Sequence, residues 1–249
     1  MNDDPAMALL YLELHRAMCS SGYRVSFPEL LEEREELIRR HGPEHWQMLG
    51  RKYLGEQGHW RLMLRCAGRM RADYMASHAV MPGMADAVRL LSERYEIGVV
   101  ANQLRESGDA LDGVGMGRHI KVRAISEAIG HRKPSPEIYL WALERAGCDP
   151  GEAVMVGDRL DNDIAPARRL GIWTILCRVP HDRRGYEAKD ETERLYFASQ
   201  RRASISRLDP SGPDQTPDET AASAEELLLA IERIAHRAAA ASGEAEGRR

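Results

Sequence analysis

The chain has 249 residues, of which 43% are hydrophobic and 30% charged, with a formal net charge of −4. That supplies a core for one domain of about 150 residues plus a smaller insertion, and it excludes global disorder and a basic nucleic-acid footprint. No run of about 18 apolar residues occurs, which excludes a membrane-spanning helix. The start, MNDDPAM, lacks the basic segment of a secretory signal. Cys19, Cys66, Cys148 and Cys177 are scattered without a CxxC pair, so neither a disulfide framework nor a zinc site is expected and a reducing cytoplasm fits.

Residues 5–79 carry helical signals throughout. Leu9, Leu10, Leu12 and Leu14, with Met7 and Met18, give an apolar face at helical spacing, and Gly22 ends that run. Ser26-Phe27-Pro28-Glu29 restarts a helix, with Ser26 as N-cap and proline in the first turn, and this helix closes at Gly42. A further helix is expected over His59–His78. No strand interrupts this stretch, so it reads as a small helical bundle.

Residues 80–180 change period. Helix ADAVRLLSERY leads into EIGVVANQ, a short apolar run that stops at polar residues as a buried parallel strand does. Further strands are expected in IKVRAI, EAVMVGD and IWTILCRV. Helices SPEIYLWALERAG and NDIAPARRLG alternate with them. The alternation predicts an α/β fold with a doubly wound, Rossmann-like parallel sheet. Residues 181–216 read as an exposed polar loop or insertion, 217–241 as a terminal core helix with Ser223 as N-cap, and 242–249 as a flexible tail.

Three segments carry candidate chemistry. In VMVGDRLDNDIAPARRLG, a strand delivers Gly157 and Asp158 at its C-terminal end, where ligands of open α/β sheets bind. Asp158 and Asp163 lie five apart across a strand-to-helix turn, and hard oxygen donors so placed suit Mg²⁺. The plainer reading makes Asp158 and Asp161 helix caps. In GHRKPSPEIY, Lys133 is followed by Pro134 just before a helix N-terminus, a place for an anion, although most lone lysines are solvated surface groups. In GVVANQ, Ala101 and Asn102 end a strand and offer backbone N–H groups and one amide.

Together, in this order, the three segments resemble the haloacid dehalogenase-like (HAD) hydrolase superfamily. MPGMADAVRLLSERY looks like that family's return from an inserted helical cap of the C1 type into the core. The resemblance covers residues 5–180 and implies a Mg²⁺-dependent hydrolase. The expected reaction is that of a phosphatase on a small organic phosphate, acting through an aspartyl intermediate. It implies that Lys133 neutralises the phosphoryl group, that Asp158 holds the metal and that Asp163 supports the metal shell. Ala101 and Asn102 fall where the family has a Ser or Thr that orients the phosphoryl group; Ala101 has no hydroxyl, and Asn102 with backbone N–H groups would substitute in part. Lys133, Asn102 and Asp158 are thus the catalytic candidates, and Ala101, Asn102 and Lys133 the substrate contacts. A 2-haloacid dehalogenase is disfavoured, because Asp158 and the Asn162-Asp163 pair suit a metal. Neither nucleic acid nor membrane is expected as a partner, and the chain is expected to be a monomer or homodimer.

One departure is large. The family's nucleophile is an aspartate at the end of the first core strand, and no apolar strand followed by such a motif occurs in this sequence. The first core strand is therefore expected to be missing. A central strand cannot be removed without stranding backbone donors and acceptors, at about 1–3 kcal/mol each. That argument favours a start codon assigned too far downstream over loss of catalysis. The alternative is a catalytically degenerate domain that binds a ligand or partner.

Overall fold

The computed structural model describes residues 1–246, and the polypeptide divides into two units. One comprises Met1–Met81 and His181–Leu208; the other comprises Pro82–Pro180 and the chain from Asp209 onward.

The first unit is helical. Helices α1 (Asp4–Ser20), α2 (Phe27–His41) and α3 (His45–Ala72) form its first part. Ser26 caps α2 reciprocally: its backbone N–H donates to Glu29 Oε2 at 2.7 Å, and its Oγ accepts from the Glu29 N–H at 3.4 Å. Helix α3 is kinked at Gly55, whose φ of 64° lies in the left-handed region that only glycine enters freely. It ends at Ala72, short of the expected His78. Tyr11 of α1 is fully buried, edge-on to Trp46 at 5.0 Å.

The expected loop over 181–216 is corrected here. Glu191–Arg202 is a helix, α9, capped by Asp190, whose carboxylate accepts the Glu193 N–H at 2.9 Å. Its Tyr196 stacks on Tyr11 at 5.4 Å. The Arg34 guanidinium lies over both rings and donates to Ser199 Oγ at 2.9 Å and to the Ala203 carbonyl at 3.0 Å. A segment that is polar in composition thus closes the helical core with one aromatic side chain.

The second unit alternates strands and helices: α4 (Met84–Ser92), β1 (Ile97–Ala101), α5 (Glu106–Gly113), β2 (Ile120–Ile125), α6 (Ser126–Ile129), α7 (Pro136–Ala146), β3 (Val154–Gly157), α8 (Ala165–Arg169), β4 (Trp173–Cys177), and after the helical excursion β5 (Glu219–Ala221) and α10 (Ala224–Glu246). Every pairing is parallel, as expected of an α/β fold. The expected single sheet is instead two: β1 pairs with β2, and β3–β4–β5 form a separate ladder. Among the described residues β1 and β3 are each bonded on one side only.

Both sheets share one apolar layer. Val100 of β1, Ala124 of β2 and Met155 of β3 pack in a common cluster with Ile138, Tyr139 and Leu143 of α7. Strand β5 was not expected, since residues 217–241 read as helix. Its three residues dock on the free edge of β4, and α10 begins only after Ser223, whose Oγ accepts the Glu226 N–H at 3.2 Å. The helix continues through Glu246; the rest of the expected 242–249 tail lies outside the described residues.

Candidate active site

The C-terminal ends of β1 and β3 carry the candidate residues. Asn102 follows β1 directly and is half-buried. Its amide clasps the Lys133 backbone with two bonds: Nδ2 donates to the Lys133 carbonyl at 2.8 Å, and Oδ1 accepts the Lys133 N–H at 2.7 Å. The clasp uses all the backbone polarity of Lys133 and fixes where its side chain starts. The Lys133–Pro134 peptide is cis.

From there Lys133 Nζ donates to Asp163 Oδ1 at 2.5 Å. The other Asp163 oxygen accepts the Arg159 N–H at 3.0 Å. Asp163 sits in a widened turn, Leu160–Ile164, which Tyr139 holds from α7 through a hydrogen bond from its hydroxyl to the Asn162 carbonyl. Burial, with the charges of Asp163 and Asp161 beside it, holds the Tyr139 hydroxyl well above its ordinary value, so it stays a donor. Gly157 makes room for the approach: a Cβ on it would stand 2.3 Å from Asp163 Cβ and Cγ.

The sequence candidates therefore form one continuous chain of contacts, Asn102 to Lys133 to Asp163. Asp158 is half-buried at the end of β3, the only aspartate among the described residues that directly follows a strand. Ala101 ends β1 and offers only a methyl group and its backbone. Asp161 is occupied by a fork of bonds from the Arg159 guanidinium. Beside Asn102 lies a shallow depression of about 390 Å³, lined also by Gln103, Ser126, Glu127, His131 and Arg132. His131 and Arg132 are exposed side chains that the sequence analysis did not single out. They stand in the same GHRKP run as Lys133, and that proximity was the available signal. Arg159 and Tyr139 were also missed, because both act through the fold of the turn.

The donor set bears on a metal. Among the described residues no group of three or more His, Cys, Asp or Glu stands together as a ready cage. Asp163 has both oxygens engaged. Asp158 places a carboxylate at a strand end. That fits Mg²⁺, which keeps several waters and takes one or two carboxylates beside substrate phosphates. It does not fit an ion held by protein groups alone.

A sequence profile of the haloacid dehalogenase-like hydrolases matches residues 13–171. The chain belongs to that family. It is 32% identical over 180 residues to a glyceraldehyde 3-phosphate phosphatase of Methanopyrus kandleri, covering 66% of this chain and 72% of the relative. Among solved structures it resembles a HAD phosphatase from Thermococcus onnurineus, with a TM-score of 0.52, 20% identity and coverage of 91% and 90% of the two chains. A HAD hydrolase from Bacillus subtilis, determined with magnesium bound, gives a TM-score of 0.52 at 19% identity, covering 91% of this chain and 82% of that one. The structural likeness carries the α/β fold of the HAD hydrolases. The sequence relationship carries the hydrolase class, with phosphatases among its members.

Proposed function

We propose that this HAD-family protein is built to hydrolyse a small organic phosphate, of the size of the glyceraldehyde 3-phosphate named for the Methanopyrus relative. The observation that carries the reading is the Asn102–Lys133–Asp163 chain at the mouth of β1 and β3. Lys133 presents an ammonium group there, its backbone clasped by Asn102 and its tip held by a buried carboxylate. A phosphoryl group at that mouth meets a fixed cation, with His131 and Arg132 beside it and the backbone N–H groups after Ala101 within the same depression.

In the proposed chemistry an aspartate carboxylate oxygen attacks phosphorus as the P–O ester bond breaks, and the leaving alkoxide takes a proton from water; a second water then attacks the acyl phosphate, which frees phosphate and restores the carboxylate. Bound Mg²⁺ would neutralise phosphoryl charge. Asp158 would hold it, while Asp163 would serve by holding Lys133. Lys133 binds the phosphoryl oxygens, and Asn102 keeps Lys133 in place. None of the residues described at this mouth fills the nucleophile's role. In this reading the nucleophile stands on a strand laid along the unbonded edges of β1 and β3, supplied by a longer form of the chain.

The unbonded edges also favour a second reading, a domain that binds a phosphorylated ligand without hydrolysing it. The test is hydrolysis of p-nitrophenyl phosphate, with and without Mg²⁺, by this chain and by one extended upstream in frame. Turnover only by the extended, Mg²⁺-supplied chain establishes the phosphatase. Silence in both, with a phosphate-binding event in the wild type that leaves His181 unmoved and is lost in Lys133→Met, establishes the binding domain.

A further inference from the structure

The helical unit contains a second constellation, far in sequence from Lys133 and Asp163. Asp4, at the start of α1, is buried and accepts three hydrogen bonds. His181 Nδ1 donates to its Oδ2 at 3.0 Å, Arg184 Nη1 donates to the same oxygen at 2.9 Å, and Gln200 Nε2 donates to Oδ1 at 3.2 Å. The carboxylate is therefore fully satisfied and fixes the His181 ring, because the bond to Nδ1 defines which nitrogen is left for other use. That second nitrogen, Nε2, is buried and has no hydrogen-bond partner, on a side chain only 4% exposed. A buried polar atom without a partner calls for an explanation, and beside a cavity a ligand supplies one.

His181 and Asp4 line a cavity of about 280 Å³, whose walls include Asn2, Tyr186, Phe197 and Arg201. Arg201 is exposed, and its guanidinium has no carboxylate partner among the described residues. Arg194 on the rim is already engaged by Glu191. Asp182, also on the rim, is the one lining carboxylate not neutralised by a neighbour in the way Asp4 is. The volume is about that of nine waters, the scale of a small metabolite.

We propose that this cavity, lined by residues of the helical unit, is a binding site for a small organic oxyanion. The oxyanion pairs with the Arg201 guanidinium, and His181, its ring fixed by the Nδ1–H bond to Asp4, presents Nε2 to the ligand's polar head. Phe197 and Ala188 flank the ligand's carbon skeleton. Phosphate esters and carboxylates share this chemistry, and the test separates them.

The experiment follows the ring nitrogens of His181 by NMR in the full chain, with inorganic phosphate and acetate as probes, in the wild type and in Lys133→Met. The expected result is a saturable shift of the His181 Nε2 resonance that survives in Lys133→Met. Arg201→Gln, a change at an exposed position, weakens the binding about tenfold, as expected for loss of one charge-assisted bond, while its thermal melting stays that of the wild type. Saturation by phosphate alone identifies a phosphorylated ligand, and saturation by both probes a general oxyanion site. An unmoved His181 at millimolar concentrations of both probes, or equal binding in Arg201→Gln, overturns the proposal. The proposed phosphatase reading would stand or fall separately, since it predicts a second phosphate-binding event, one that leaves His181 unmoved and that Lys133→Met abolishes.

Discussion

Lys133 and Asp163 meet at 2.5 Å with side chains only 13% and 4% exposed, so the cation that faces the strand mouth is tied to a carboxylate that water scarcely reaches. An ion pair so placed is costly to break from one side, because the survivor is left charged and desolvated. Asp163→Asn is expected to lower unfolding free energy by about 3 kcal/mol, within the range for breaking a buried pair. Lys133→Met in the same background should recover part of that loss. Urea denaturation of the two single variants and the double checks it: a double variant no more stable than Asp163→Asn would show that the pair is not the origin of the effect.

Gly157 tests the same carboxylate by sterics. A methyl group at this position would lie 2.3 Å from Asp163 Cβ and Cγ, which is inside van der Waals contact and faces a side chain held at both oxygens. Gly157→Ala should therefore cost about 1–3 kcal/mol, the usual range for an overpacked site. It should also weaken phosphate binding by displacing Asp163 from Lys133. Both are read from denaturation and from calorimetric titration with inorganic phosphate. Wild-type stability together with wild-type affinity would show that the turn yields freely and that the close approach has no consequence.

The Asn102 clasp separates two roles that alanine scanning merges. Asn102→Asp keeps the acceptor for the Lys133 N–H and loses the donor to the Lys133 carbonyl, whereas Asn102→Ala loses both bonds. Each unsatisfied, half-buried backbone group costs about 1–3 kcal/mol. Both variants should be less stable than the wild type. Asn102→Asp should bind phosphate more weakly still, because it adds a negative charge at the mouth. Equal phosphate affinity in the two variants would remove Asn102 from the anion site and leave it a purely structural role.

Much of this arrangement was legible in the sequence because it depends on short-range signals. The strand ends at Ala101 and Gly157, the helix start after Lys133-Pro134 and the capping box at Ser26 are each encoded within a few residues. What was not legible depends on distant partners. Helix α9 has a polar sequence with one apolar knot, Leu195-Tyr196-Phe197, and its place follows from Arg34 and Tyr11, more than 160 residues earlier. Strand β5 is three residues long with no strand signature of its own, and the edge of β4 draws it into register. The contacts of Asp163 were out of reach for the same reason. Its spacing from Asp158 suggested a place beside a metal, and its bonds to Lys133 and the Arg159 N–H are set by the widened turn.

Asp4 carries the clearest pH dependence in the helical unit. Burial pushes its carboxyl up, but the bond from His181 and the charge of Arg184 outweigh it, and the group ends below the ordinary carboxylate range. In the unfolded chain the same carboxyl titrates at about 3.9. A group whose folded pKa is depressed stabilises the fold above the unfolded value, and that contribution is lost as pH falls through the folded one. Asp4→Asn should thus be less stable than the wild type by about 3 kcal/mol near neutral pH, as for other broken buried pairs. The gap should hold down to about pH 5 and close below about pH 4, where the wild-type carboxylate itself becomes protonated. Denaturant titrations of both proteins from pH 7 to strongly acidic buffer measure the gap directly. A gap that widens on acidification would mean that Asp4 is protonated in the native fold, so that the three donors around it do not outweigh its burial.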